Sequence, residues 1–499
     1  MVDITADGSA ALDEAMTRPP VSANPVIPGF HPDPSICQVG RDYYLACSSF
    51  EYFPGVPIFR SPDLRHWEQI GNALERPSQL MLPESVPCSG GIFAPTLRHH
   101  DGRFYLVTTN FWGGGNLLFT ADKAEGPWSE PVLIGWPLHC DPDLAWDRDG
   151  TCYLTVSGIE QARLDTGTGA LLEEPRPLWS GTLGLPEAPH LYEIDGSWYL
   201  MIAEGGTERG HCVSIARADS PQGPFAACPA NPILTHRSTT DPIQNTGHGD
   251  LVQGPDGSWW LVFLGVRPKG GSPRFHVLGR ETFLAPVTWE NGWPVVGEIT
   301  DGAAWTEPVR EDFDSPQLHP RWISVRSRPP LNLAGSRLTL HSADEDAMDS
   351  RLPCFVGRRQ QHPYVRVRTQ IDGTGGLAVR MDERHHYDIE VRDGLVRAQA
   401  RIGGLKQVIA QQPGPPGPAV LRLEVLPSDP VVLGGPVTVG PDRIRLGLED
   451  GGEFTVLAEL DGRYLSTEVT GGYTGRVIGV YATVGTASFD WLDYEPLPC

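Results

Sequence analysis

"LYEIDGSWYLMIAEG", residues 191–205, is a short apolar run, an Asp-Gly pair and a second apolar run. Asp-Gly between two such runs is a strong short-range signal for a β-hairpin, because the primed turns need φ > 0. The pattern recurs four more times, in "QVGRDYYLACSS" (38–49), "LRHHDGRFYLVTTN" (97–110), "LAWDRDGTCYLTVSG" (144–158) and "LVQGPDGSWWLVFLG" (251–265). Asp-Gly recurs at Asp101-Gly102, Asp149-Gly150 and Asp256-Gly257, and the first copy uses Gly40 instead. Successive hairpins start roughly 45 to 60 residues apart, the length of one four-stranded propeller blade rather than of a solenoid repeat. A second repeat lies between them, in "FRSPDLRHWEQIG", "FTADKAEGPWSEPV" and "IARADSPQGPFAACP", and fits the outer part of the same blade. With no window of helical period, these copies predict an all-β chain whose first part, residues 24–305, is a five-bladed β-propeller.

The inner strands of a propeller begin around one channel, so equivalent positions in different blades converge. Counting back three places from the first apolar residue of each inner strand (Ile36, Leu97, Leu144, Leu191, Leu251) gives Asp33, Ala94, Asp141, Ala188 and His248. One place further back stand Phe93 and Glu187. An Asp-Pro such as Asp33-Pro34 is ordinarily a turn. Equivalent placement in separate blades instead predicts one pocket holding three carboxylates, an aromatic ring and a histidine.

At 499 residues the chain is too long for one compact core. The repeat stops after "ENGWPVVGEITDGAAW". From residue 306 a linker, "TEPVREDFDSPQLHPRW", leads into alternating strands such as "YVRVRTQID" and "LRLEVL" with Pro/Gly turns, which predicts a β-sandwich up to residue 499. No acid pair there is placed by a repeat, so the sandwich reads as a structural or binding module. Residues 1–23 read as a flexible polar tail without the apolar stretch of a signal peptide, and no run is long enough to span a membrane, which fits a cytoplasmic protein. A net charge of -23, from 39 basic and 62 acidic residues, argues against nucleic acid and anionic membranes and allows a neutral substrate or a bound cation. Nine cysteines without C-x-x-C spacing read as reduced thiols, and 57 Gly with 48 Pro but no low-complexity run suit a turn-rich β protein.

Several longer motifs carry a resemblance. "NPVIPGFHPDPSI" (24–36), "SSFEYFPGVPIFRSPDLRHW" (48–67), "GGIFAPTLRHHDGRFYLVTT" (90–109), "EAPHLYEIDGSWYLMIAEGGT" (187–207) and "LGRETFLAPVTWENGWPVV" (278–296) resemble the β-xylosidases and α-L-arabinofuranosidases of glycoside hydrolase family 43. "FVGRRQQH" and "GRVIGVYATVGTASFDWLDYEP" resemble their C-terminal sandwich, a concanavalin-like jelly roll. The resemblance implies that Asp33 is the catalytic base, Glu187 the catalytic acid and Asp141 a third carboxylate that raises the acid's pKa. It implies that Arg280 contacts the glycone and pairs with a catalytic acid, and that Phe50 walls the pocket. Phe93 stands where relatives usually have tryptophan. His248 matches a channel histidine that in some relatives sits beside a calcium ion, so a structural calcium is an expectation, although one histidine is no metal motif. Asp143 stands where the family has a small residue and is expected to turn its charge to the strand's other face.

The implied activity is exo-acting, inverting removal of terminal pentose, β-1,4-xylose from xylooligosaccharides first, with α-L-arabinofuranosidase activity on arabinose-substituted oligosaccharides as the alternative. A carbohydrate-binding propeller without catalysis and a retaining fructosidase are the readings from outside the family. No cofactor is required. The sequence leaves the oligomeric state open, a homo-oligomer included.

Overall fold

The structure, a computed structural model, describes residues 24–136, 139–300, 307–345, 347–432 and 436–498. The polar tail at residues 1–23 lies outside the described residues. Five antiparallel four-stranded sheets follow one another along the chain. Blade I is Ser35–Val39, Asp42–Ala46, Gly55–Ser61 and Glu68–Leu74, and blade II is Ile92–His100, Arg103–Asn110, Gly115–Ala121 and Val132–Leu133. Blade III is Asp143–Trp146, Cys152–Val156, Glu160–Arg163 and Arg176–Pro177. Blade IV is Glu187–Ile194, Ser197–Glu204, Cys212–Ala218 and Ala226–Ala227, and blade V is Gln244–Gln253, Trp259–Val266, Glu281–Glu290 and Trp293–Val296.

Each blade is covered on both faces, which is why its middle strands read as unbroken apolar runs rather than alternating ones. Between blades I and II, Ala46 and Ile58 pack on Leu97 and Leu106. Between IV and V, Met201 and Ile215 pack on Leu261 and Phe263. Leu45 and Val262 join blade V to blade I. The ring is closed by Ile27, paired to Thr282, and by Asn24, whose side chain both donates to Leu284 O and accepts from Leu284 N at 2.9 Å.

The hairpin turns divide into two kinds. Asp101-Gly102 and Asp195-Gly196 have φ of 47° and 76°, and 51° and 80°, as a two-residue primed turn needs. The Asp149-Gly150 and Asp256-Gly257 loops are longer, joining Trp146 to Cys152 and Gln253 to Trp259, and only their glycines have positive φ.

The second domain is a sandwich built on two long strands, Val365–Asp382 and Val477–Pro496, that pair with each other and pass from one sheet into the other. The halves Val365–Ile371 and Phe489–Pro496 lie in a sheet with Ala419–Pro427, Asp442–Asp450 and Glu453–Asp461. The halves Gly375–Asp382 and Val477–Ala482 lie in the other, with Phe355–Arg359, His385–Arg392, Leu395–Ile402 and Leu405–Pro413. The register breaks where the first strand crosses over, at Gly373–Gly375, and a Cβ on Gly373 would stand 2.1 Å from Thr486 O. The two domains share a buried cluster that includes Phe30 and Tyr52 of the propeller and Ile323, Phe355 and Tyr481 of the sandwich.

Candidate active site

The repeat position is also a backbone position. Asp33, Asp141, Ala188 and His248 all have positive φ, between 47° and 57°. For non-glycine residues this costs on the order of 1–3 kcal/mol each and persists only where surroundings impose it. In blades II, IV and V the inner-strand register slips across the same place, at Phe93/Thr96, Glu187/His190 and Gly247/Asp250. The kink turns the chain out of the ladder at the channel mouth and aims the side chains there inward.

Asp33 is buried and accepts from Ser48 Oγ at 2.5 Å, and from Arg280 at 2.9 Å to Oδ1 and 3.4 Å to Oδ2. His248 Nδ1 lies 3.4 Å from Oδ1. Burial alone would raise this carboxyl, but the Arg280 guanidinium, His248 and the Ser48 hydroxyl outweigh it and hold it below the usual aspartate value. Asp141 is buried and accepts from the backbone N–H of Ala188 at 3.1 Å, so it grips the residue beside Glu187. Burial first, and then the Asp33 charge, push Asp141 up. Burial, followed by the charges of Asp141 and Asp33, push Glu187 up as well, although its side chain is 28% exposed to the pocket. One acid is thus held ionised and two are held toward their protonated forms. His248 is lowered to about 4, mainly by burial, and is neutral at ordinary pH.

Rings line one side. Phe50 lies 5.4 Å from Phe93, centroid to centroid, and the Arg280 guanidinium carbon stands 5.8 Å from the Phe50 ring. Arg280 also donates to Thr207 Oγ1 at 3.0 Å. Seven of the eight residues singled out from the sequence therefore cluster at one end of the channel, although Phe50, expected to wall the pocket, is fully buried and backs the other rings instead.

The sandwich, expected as a structural or binding module, supplies a further wall. Tyr473 stacks on Phe50 at 5.9 Å, meets Phe93 edge-on at 5.7 Å and lies 5.4 Å from the Arg280 guanidinium. Its backbone N–H donates to Ser89 Oγ at 2.9 Å. The loop that carries it is pinned to the strip before Arg280, where Glu468 accepts from the His276 backbone at 2.9 Å and Arg476 N donates to Val277 O at 3.0 Å. A cavity of about 930 Å³ opens beside Arg280, lined by Ser89, Trp112, Thr207 and the Thr467–Tyr473 loop.

Below the carboxylates the channel is plugged. Arg98 reaches the axis and donates to Asp250 Oδ2 at 2.9 Å and Asp143 Oδ1 at 2.8 Å, with His190 Nδ1 at 2.9 Å. Tyr192 donates to Asp250 Oδ1 at 2.5 Å, and Ser35 Oγ to Asp250 Oδ2 at 3.0 Å. Asp143, expected to face away, instead lies buried at the axis, because its carboxylate is held there by Arg98 at 2.8 Å and by the Leu191 backbone N–H at 2.9 Å. The calcium expectation meets the same network. The oxygen ligands that calcium prefers are engaged by the guanidinium, and among the described residues no group of three or more His, Cys, Asp or Glu side chains is placed to hold a metal ion. Replacing Arg98 by methionine leaves two buried carboxylates uncompensated and is expected to cost about 3–5 kcal/mol. Exhaustive chelation is expected to leave both activity and melting temperature unchanged. Thermal melts with and without chelator check both, and a melting temperature that falls on chelation and recovers with calcium would reinstate the ion.

Three carboxylates at the aromatic mouth of a plugged five-bladed propeller are the groups that acid–base hydrolysis of a glycosidic bond uses. Residues 22–294 match the family model described as "Glycosyl hydrolases family 43", and residues 310–495 that of the "Beta xylosidase C-terminal Concanavalin A-like domain". The chain belongs to glycosyl hydrolase family 43. It is 37% identical to the "Non-reducing end alpha-L-arabinofuranosidase BoGH43B" of Bacteroides ovatus, over 95% of this chain and 94% of that one. It is 35% identical to a "Xylosidase/arabinosidase" of Butyrivibrio fibrisolvens, over 95% and 98%. The crystal structure of the GH43 protein BlXynB from Bacillus licheniformis matches it with a TM-score of 0.86 at 30% identity, covering 95% of this chain and all of that one.

Proposed function

We propose that this chain is an exo-acting, inverting glycosidase that removes terminal pentose, β-1,4-linked xylose from short xylooligosaccharides first, with α-L-arabinofuranose as the alternative glycone. The observation that carries the proposal is the placement of two carboxylates on non-adjacent blades I and IV, Asp33 held by the Arg280 guanidinium and the Ser48 hydroxyl, and Glu187 partly open to the pocket with no such cation on it among the described residues. Inverting hydrolysis needs an ionised carboxylate to take a proton from water on one face of the sugar and a protonated carboxyl to give one to the leaving oxygen on the other. Asp33 is the base and Glu187 the acid. Their separate blades leave room for the water, where a retaining enzyme needs a closer pair. The Arg98 plug supports exo action, since it makes the pocket blind below the sugar. Arg280 and Thr207 offer hydrogen bonds to glycone hydroxyls, and Phe93 and Tyr473, backed by the buried Phe50, offer ring faces for its apolar side. One relative named an alpha-L-arabinofuranosidase and another named "Xylosidase/arabinosidase" support keeping both sugars open. A panel of aryl β-D-xylosides and α-L-arabinofuranosides tests the glycone. Turnover of neither would reject the reading.

Asp141 sets when the acid works. Its charge disfavours ionisation of Glu187, so Asp141→Asn lets Glu187 lose its proton more easily. The acid must be protonated to act, hence the alkaline limb of kcat/KM is expected to move to lower pH. A pH profile of the Asn variant checks the sign, and an unmoved or upward-shifted limb would contradict it.

We place no calcium in this mechanism, because the channel residues engage a guanidinium instead. A cytoplasmic location is supported by the eight cysteines among the described residues, all of them free. Cell fractionation tests it.

A further inference from the structure

A buried imidazole stands beside the acid. His211 immediately precedes the third strand of blade IV, and its side chain is 1% exposed. Its Nδ1 lies 3.8 Å from Glu187 Oε1, and neither ring nitrogen has a hydrogen-bond partner. The Gly206 backbone lies close enough to favour the protonated ring, but outside hydrogen-bonding geometry. Polar atoms so deeply buried are nearly always paired, so an unpaired imidazole aimed at a carboxyl calls for a reason.

The ring is held in place from blade V. A Cβ on Gly247 would come within 2.0 Å of His211 Cδ2, so the absence of a side chain at 247 is what admits the imidazole. The charged and titratable groups around it are Glu187 on its own blade, His248 on blade V, Arg280 and Asp33. Burial, then His248 and Arg280, lower its pKa to about 3, against Asp33. The ring is therefore neutral in the working range, with one N–H and one lone pair.

Which of the two meets Glu187 follows from what the acid must do. The proton that goes to the leaving oxygen sits on the carboxyl oxygen facing the sugar. The oxygen facing His211, Oε1, is then bare and accepts. A distance of 3.8 Å is too long for a hydrogen bond. Contacts of this kind are often long in empty sites and tighten in the Michaelis complex, and Glu187 has room to turn.

We propose that His211 is a positioning residue for the general acid, donating Nδ1–H to Glu187 Oε1 so that the other oxygen presents its proton to the glycosidic oxygen and the carboxylate left behind is stabilised. The proton passes from Glu187 to the leaving alcohol, and His211 keeps its own. The inference rests on Glu187 being the acid. It also gives the buried imidazole a task that packing alone would not need.

The test is kinetic, with the full chain. His211→Leu is expected to lower kcat/KM on xylobiose on the order of 10²-fold, the cost of misplacing a catalytic group. An aryl xyloside with a good leaving group should change by no more than about threefold, because it needs little protonation. Loss of a donor to the carboxylate also raises the pKa of Glu187, so the alkaline limb should move to higher pH, opposite to Asp141→Asn. His211→Asn, whose amide N–H stands close to where Nδ1 stood, should restore most of the xylobiose activity. Should the leucine variant fail to fold, His211→Gln takes its place. Its donor lies nearer the Nε2 position, and it is expected to show the leucine pattern. Equal losses on both substrates, or an unmoved limb, would overturn the proposal. Glu187→Ala measured alongside separates the two failures: leaving-group dependence there but not at His211 rejects the positioning role alone, and none in either rejects both.

Discussion

Asp33→Ala is expected to lower hydrolysis of xylobiose and of an aryl xyloside alike, by about 10²–10⁴-fold and more where no other group activates the water. Both substrates need that water however readily their leaving groups depart, which is why the two losses should match. Removing Asp33 leaves the buried Arg280 with Thr207 and the buried Ser48 Oγ without its acceptor, so the variant is expected to melt below the parent. Asp33→Asn keeps an acceptor oxygen for both, and the kinetic loss is read in both variants well below their melting temperatures. Near-normal turnover of either substrate would remove Asp33 from the role of base, and a loss confined to xylobiose would make it an acid instead.

Glu187→Ala is expected to separate the same two substrates. The acid's work is to protonate the departing oxygen. Xylobiose leaves as a poor alkoxide and should lose about 10²–10⁴-fold, while a nitrophenyl-type leaving group departs with little help and should lose far less. The parent's alkaline limb, set by a Glu187 whose pKa burial and the Asp141 and Asp33 charges raise, should vanish from the profile of the variant. Equal losses on both substrates would mean that Glu187 is not the proton donor, even though it lies in the pocket.

The parts of this site that were legible from sequence are those that the repeat carries. Asp33, Asp141, Ala188 and His248 share a frame, and the structure gives them a shared kink. The channel plug was legible too, one frame over. Counting back one place rather than three from the same apolar residues gives Ser35, Thr96, Asp143, His190 and Asp250, four of which belong to the network around Arg98. The kink between the two frames breaks the strand alternation, so the facing of this second layer, Asp143 included, does not follow from the first.

Other residues had no such signal. Tyr473 sits in a sandwich loop and reaches the pocket only because the 466–476 segment packs on His276–Arg280. That contact joins residues some 200 positions apart and belongs to no repeat. His211 lies in a loop end that the other blades do not reproduce, and what marks it, the missing partners of its ring, exists only in three dimensions. The turns show a limit of local reading as well. Asp-Gly fits a two-residue primed turn in blades II and IV, but in blades III and V the longer connections place only the glycine at positive φ.

The central claim, that Asp33 and Glu187 act on opposite faces of one sugar with water attacking directly, is tested most directly by following the product anomer. Proton NMR of an aryl β-D-xyloside digest, recorded before the free sugar mutarotates, is predicted to show α-xylose appearing first. An α-L-arabinofuranoside should likewise release the β anomer first. Initial release of β-xylose would mean a covalent intermediate and a nucleophile in place of a base, and would contradict the account.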